Sequence, residues 1–172
     1  MVFLKRLARW AGLFLLALIA LPILAFLVWV AKGLLIDNPR YAHRFFTPIF
    51  ASFEVLESKQ WHPFGASGWD CSYAIVSLPE SVASDPPMPA RGVSWQFRWG
   101  GENWEPTPMQ PLGDTTRDAI DACSGYWSAE ALERLRAALN APGSFVLVGS
   151  VGETVFVYSK PQRLAARVRY GD

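Results

Sequence analysis

Few residues of this chain have chemistry to offer: two cysteines, two histidines, three aspartates at helical spacing and three arginines at strand spacing. Cys71 opens the β-rich stretch CSYAIVSL, and Cys123 closes a helical one 52 positions later. A catalytic thiol needs a neighbouring base, and both histidines, His43 and His62, precede these stretches. There is no CxxC pair and no Cys/His grouping with the spacing of a zinc site. An even pair outside a reducing compartment reads as a disulfide. Closing so long a loop is worth about 4 kcal/mol if chain entropy alone is counted. The expectation is a Cys71–Cys123 disulfide, with no metal ligands and no cofactor.

Asp114, Asp118 and Asp121 fall on one side of a helix. With Glu102 and Glu105 they offer carboxylates beside Trp95, Trp99 and Trp104, as in a cleft that cuts a cell-wall polymer. Glycosidic cleavage needs two carboxyl groups about 5–9.5 Å apart across the substrate, and sequence spacing does not supply that. The electrostatics of a helix start account for Asp114 and Asp118 equally well. Ser67, in FGASGWD, lacks the spacing of a nucleophile elbow. No catalytic residue is assigned.

Two sets remain as a candidate binding surface. Trp99 and Trp104 flank Gly100-Gly101 and would suit stacking on a sugar or peptide, while Trp95 and Phe97 read as core. Arg163, Arg167 and Arg169 lie at period-two spacing on one face of the last strand. They suit an anionic headgroup, a phosphate or an acidic protein, or else charge an edge strand against unwanted pairing.

The elements that must position these residues begin with a membrane segment. Trp10 to Ala31 is 22 residues without a charge, roughly 33 Å as a helix against about 30 Å of hydrocarbon. Trp10 and Trp29 stand at its ends, where indole rings favour the headgroup level. A cleaved signal peptide has a shorter apolar run and a small-x-small site, so the expectation is an uncleaved anchor. Lys5, Arg6 and Arg9 precede it and Lys32, Arg40 and Arg44 follow it. The tighter N-terminal cluster favours a cytoplasmic N-terminus.

Residues 1–9 are then a cytoplasmic flank, 10–31 the anchor, 32–68 an aromatic-rich juxtamembrane segment and 69–172 an extracytoplasmic domain. Thr47-Pro48 predicts a helix from Pro48 to about Ser58, although Phe53 and Val55 alternate as a strand would. Strands are expected at Cys71–Leu78 and Val93–Trp99, and a proline-rich loop over 104–112. Asp114 or Thr115 caps a first helix that runs to about Cys123, and Ser128 caps a second with Leu132, Leu135 and Leu139 on one face and Glu130–Arg134 on the other. Three strands follow, Phe145–Val148, Thr154–Ser159 and Leu164–Tyr170, as a meander. The fold class is α+β: an N-terminal transmembrane helix, then a small antiparallel-sheet domain with two or three helices and a C-terminal β-meander.

After Lys32 the chain has twelve basic and fifteen acidic residues, a net charge of −3. No basic stripe is present to displace counterions, which excludes nucleic acid as the expected partner. Arginine outnumbers lysine twelve to four and no N-x-S/T sequon occurs. The functional expectation is a single-pass protein of a bacterial inner membrane with a periplasmic domain that binds an envelope protein, as an accessory or an immunity-type factor. The alternatives are a cell-wall hydrolase and a structural subunit of a membrane complex.

Overall fold

The computed structural model describes residues 2–35, 39–60, 71–88, 99–100, 103–108, 114–149 and 154–170. The chain divides into two compact units, Met1–Ile36 and Asp37–Asp172.

The first unit is one helix, α1 (Val2–Leu35), with Pro22 inside it. Its stretch Trp10–Ala31 has a mean hydropathy of 2.9 and none of it is buried by protein. It is the one helix among the described residues long and apolar enough to cross a membrane.

The second unit is α+β. It contains α2 (Pro39–Phe46), β1 (Glu54–Lys59), β2 (Cys71–Ser77), β3 (Glu105–Pro106), α3 (Asp114–Cys123), α4 (Ala129–Asn140), β4 (Ser144–Val148), β5 (Thr154–Ser159) and β6 (Leu164–Tyr170). A 3-10 turn at Ser124–Tyr126 joins α3 to α4. The strands form one antiparallel sheet of six in the order β1-β2-β6-β5-β4-β3. The meander β4-β5-β6 is present as the alternation predicts, and the β1–β2 pair docks along β6 rather than beside the other local neighbours.

Both faces of the sheet are covered. On one, α3 and α4 bury Ile120, Ala131, Leu135 and Leu139 against Ile75, Val155, Val157 and Val168. Ser128 caps α4 by accepting from Ala131 N, and Glu57 Oε1 accepts from Ser128 N at 2.8 Å. A carboxylate from β1 thus sits at the positive end of α4, where a helix N-terminus favours it. Arg134, paired with Glu130 at 3.6 Å, donates from Nη2 to Ser77 Oγ and to the carbonyls of Gln162 and Arg163. It ties α4 to the turn before β6.

On the other face α2 lays Tyr41, Ala42, Phe45 and Phe46 onto Ala74, Phe156 and Ala165. Ala42 N, one of the first-turn amides that a helix cannot satisfy internally, donates to Ser58 Oγ of β1 at 2.9 Å. This corrects the expectation for 48–58. The helix lies earlier, with Pro39 and not Pro48 at its first position, and Thr47–Ile49 is the turn that ends it. The alternation about Glu54 is that of a strand, β1. Residues 39–59 therefore contribute a covering helix and a sheet strand to the unit that begins at Asp37. The strand expected at Val93–Trp99 lies outside the described residues except for Trp99. In the proline-rich loop, Glu105 and Pro106 pair with Val146 and Phe145. Thr107 then ties that loop down, its Oγ1 donating to Ala141 O and accepting from Ser144 N.

Candidate functional site

Cys71 and Cys123 form a disulfide with Cα atoms 5.5 Å apart, within the usual range for such a bridge. It joins the first residue of β2 to the last of α3 on the helical face of the sheet. The thiols are spent on structure.

Of the five candidate carboxylates, two have described side chains, and these lie apart, one on β3 and one on α3. Glu105 is exposed on β3 and Asp121 is exposed on α3. Glu102 and the side chains of Asp114 and Asp118 lie outside the described residues, as do Ser67 and His62. His43 is exposed, its ring 5.1 Å from that of Phe53. Among the described residues no three His, Cys, Asp or Glu side chains are grouped so as to hold a metal ion.

Trp99 is 1% exposed. Its ring packs edge-on to Phe45, Phe46, Phe50 and Phe156, and Trp104 lies 5.4 Å from it. Trp99 therefore has no free face for stacking on a sugar. Trp104 is half-buried and lies over Gly100, whose φ of +59° and lack of a side chain make room for it; a Cβ there would stand 2.5 Å from Trp104 Cζ2. Trp95 and Phe97 lie outside the described residues.

The three arginines separate. Arg163 sits in the turn before β6 with φ of 49°, donates from Nε to Leu78 O and meets Glu80 Oε1 at 3.2 Å. It lines a surface groove of about 590 Å³ whose charges, Glu80, Asp85, Lys160 and Arg163, are of both signs. A second cleft of about 280 Å³, lined by Ile49, Phe50, Pro79, Val82 and Tyr158, is mostly apolar. Arg167 and Arg169 belong to β6 and share its α2-side face, together with Ala165. Nor is β6 an edge: β2 and β5 pair with it on either side. The expectation of charges guarding an edge strand is overturned, because the N-terminal hairpin covers that edge.

Arg167 is 8% exposed, inside the aromatic layer. Its guanidinium lies over the rings of Phe45, at 5.2 Å, and Tyr41, at 5.9 Å, a favourable cation–π placement. Nη1 donates to Tyr41 Oη. Nε is buried with no acceptor, and no carboxylate faces the guanidinium among the described residues. Burial pulls the Arg167 pKa down from its ordinary value; the Tyr41 phenol opposes this and the charge of Arg169 adds to it. Burial pushes the Tyr41 phenol up, against the pull of Arg167 and then Arg169. A charge taken out of water without a counter-charge is costly, so this arginine is the least explained by folding alone.

Register gives its surroundings. Opposite Arg167 stand Ala74 on β2 and Phe156 on β5; opposite Arg169 stand Ser72 and Thr154. Along this face an apolar row, Val76–Ala165–Tyr158, gives way to the row of Arg167 and then to a polar row with two hydroxyls. Reading the sequence grouped Arg163, Arg167 and Arg169 on one face of the last strand but missed the burial of Arg167. The signal lay in PRYAHRFF, where Tyr41/Phe45 and Ala42/Phe46 make an i,i+4 apolar stripe that needs a sheet face to cover.

No protein-family model, curated protein or solved structure matches this chain.

Proposed function

We propose that this chain is a single-pass protein of a bacterial inner membrane, anchored by residues 10–31 with its N-terminus in the cytoplasm. The unit from Asp37 onward then works in the periplasm by binding another envelope protein, as an accessory or an immunity-type factor. The observation that carries the reading is a conjunction: an apolar 22-residue stretch that no protein covers, followed by a domain closed by a disulfide. Disulfides persist in oxidising compartments, and the positive cluster before the span favours the matching orientation. Binding is favoured over catalysis because the described nucleophiles and carboxylates are dispersed or bonded, while a buried cation stands without a counter-charge among the described residues.

Thiol mapping in intact membranes tests the first half. Cys71 and Cys123 are expected to resist alkylation until reduced and to be recovered as one linked peptide. Two thiols reactive from the start would place the domain in the cytoplasm and end this reading. For the second half, a photo-crosslinking residue at Met88, which is 68% exposed, should trap a discrete envelope protein in cells. Adducts with lipid alone, or none from a panel of exposed positions, would remove the protein-binding claim.

A further inference from the structure

We propose that Arg167 is the anchor of a carboxylate-binding site on the α2 side of β6, filled by an Asp or Glu side chain that the protein partner inserts. This deepens the reading above and rests on it for the source of the carboxylate, though not for the site itself.

A guanidinium offers its donors in a fixed planar fork. Nη1 of Arg167 is committed to Tyr41 Oη. The opposite edge, Nε with Nη2, is the one that grips a carboxylate through two parallel hydrogen bonds. Nε on that edge is buried without an acceptor. Among the described residues the bond from Nη1 to Tyr41 is the side-chain hydrogen bond that the guanidinium makes. The fork is therefore held in place by packing against Phe45 and Tyr41, with its recognition edge unused.

Charge and shape select the ligand. One buried guanidinium with no counter-ion among the described residues calls for one negative charge. A carboxylate is planar, and both its oxygens are satisfied by the fork. A phosphate would bring further oxygens against Phe45 and Phe156, where no donor stands, and a buried unsatisfied oxyanion is penalised. Ser72, buried, and Thr154, half-buried, carry hydroxyls in the row beside Arg167 on the same face. Buried arginines that receive a partner's carboxylate are frequent centres of binding energy.

Acetate is the probe, because it carries the fork-matching group and nothing else. The thermal midpoint of the full-length chain in detergent micelles is compared in sodium chloride, sodium acetate and sodium phosphate at equal pH and ionic strength. Acetate should raise the midpoint over chloride by roughly 2–4 °C, the shift expected when a weak ligand binds only the folded state. Arg167→Lys keeps the charge and loses the fork, so the acetate increment should vanish in it. Arg167→Met should abolish the increment without loss of the folded transition in chloride, which shows that the missing response is not a folding defect. An increment that survives in Arg167→Lys, or no increment in the wild type, overturns the site. A larger, Arg167-dependent increment with phosphate overturns the carboxylate assignment. None of these arms needs the partner, so the site and the protein-binding reading can fail separately.

Discussion

The two faces of the sheet carry cores of different kinds. Toward α3 and α4 the core is largely aliphatic, set by helices of 10 and 12 residues and closed by the disulfide. Toward α2 it is aromatic, built from Tyr41, Phe45, Phe46, Phe50, Trp99, Phe156 and Tyr158, and it contains a guanidinium. An eight-residue helix covers much of it. A face that serves stability alone is filled with groups that lose nothing on leaving water. A face that holds an unpaired charge keeps a liability that further apolar packing would have removed. On the function proposed above, the first face serves mainly stability and the second recognition.

The largest test of that division is the covalent one. Cys71→Ser with Cys123→Ser should lower unfolding free energy by about 4 kcal/mol, from the 52-residue separation of the bridge. Urea unfolding of the full chain in micelles reads it. A loss under about 1 kcal/mol would mean that the unfolded chain already holds these residues together.

Next comes the aliphatic core itself. Leu135 is fully buried at the middle of α4, and Leu135→Ala should cost about 3 kcal/mol, within the span for buried leucines. The same urea series measures it, and the acetate response of Arg167 should be untouched. If that response disappears, the two faces act as one unit and the division is wrong.

The helical face was the more legible in the sequence, for physical reasons. Its elements obey local rules: Ser128 caps α4, Glu130 and Arg134 pair one turn apart, and Leu135 and Leu139 repeat at the helical period. The strands of the meander alternate with no competing signal. The α2 face depends on a long-range event. In LAARVRY the alternation of Ala165, Arg167 and Arg169 against Leu164, Ala166 and Val168 reads as one buried face and one wet face. That pattern is what a sheet covered on one side would show. Nothing local reveals that a helix more than a hundred residues earlier lies on the charged side. The misplacement of α2 had the same origin, since Asn38-Pro39 and Thr47-Pro48 are equivalent start signals and only packing chooses between them. As for the site, the common strand face of Arg167 and Arg169 was readable, but the turn position of Arg163 and the burial that singles out Arg167 were not.

Arg167→Met breaks the comparison from the other side. It removes the uncompensated charge and keeps the volume, so unfolding free energy should rise by about 1–2 kcal/mol even though Tyr41 loses its donor. A gain in stability with loss of the cross-linked partner is the signature of a group retained for binding. A loss of more than about 2 kcal/mol would instead make Arg167 a structural member of the aromatic layer.

The smallest effect is the most specific, and it depends on pH. Tyr158 donates to Ala83 O at 2.7 Å from the aromatic face. Burial, and then the negative charge of Asp85, hold its phenol above the ordinary value of 10.0. A phenol that keeps its proton more tightly when folded contributes its full share of stability below about pH 10. That share is lost as pH rises through the folded pKa, because the unfolded chain then releases the proton first. Tyr158→Phe removes one hydrogen bond and should cost about 1 kcal/mol near neutral pH. Wild type and variant should therefore converge as the pH climbs past 10, and the increase in ultraviolet absorbance on phenolate formation should come later in the wild type than for a free tyrosine. Burial shifts the Tyr41 phenol in the same direction, against the pull of Arg167. A gap between wild type and Tyr158→Phe that stays constant across pH 10 would show the phenol to be as solvated as in the unfolded chain, and the aromatic face to be open there.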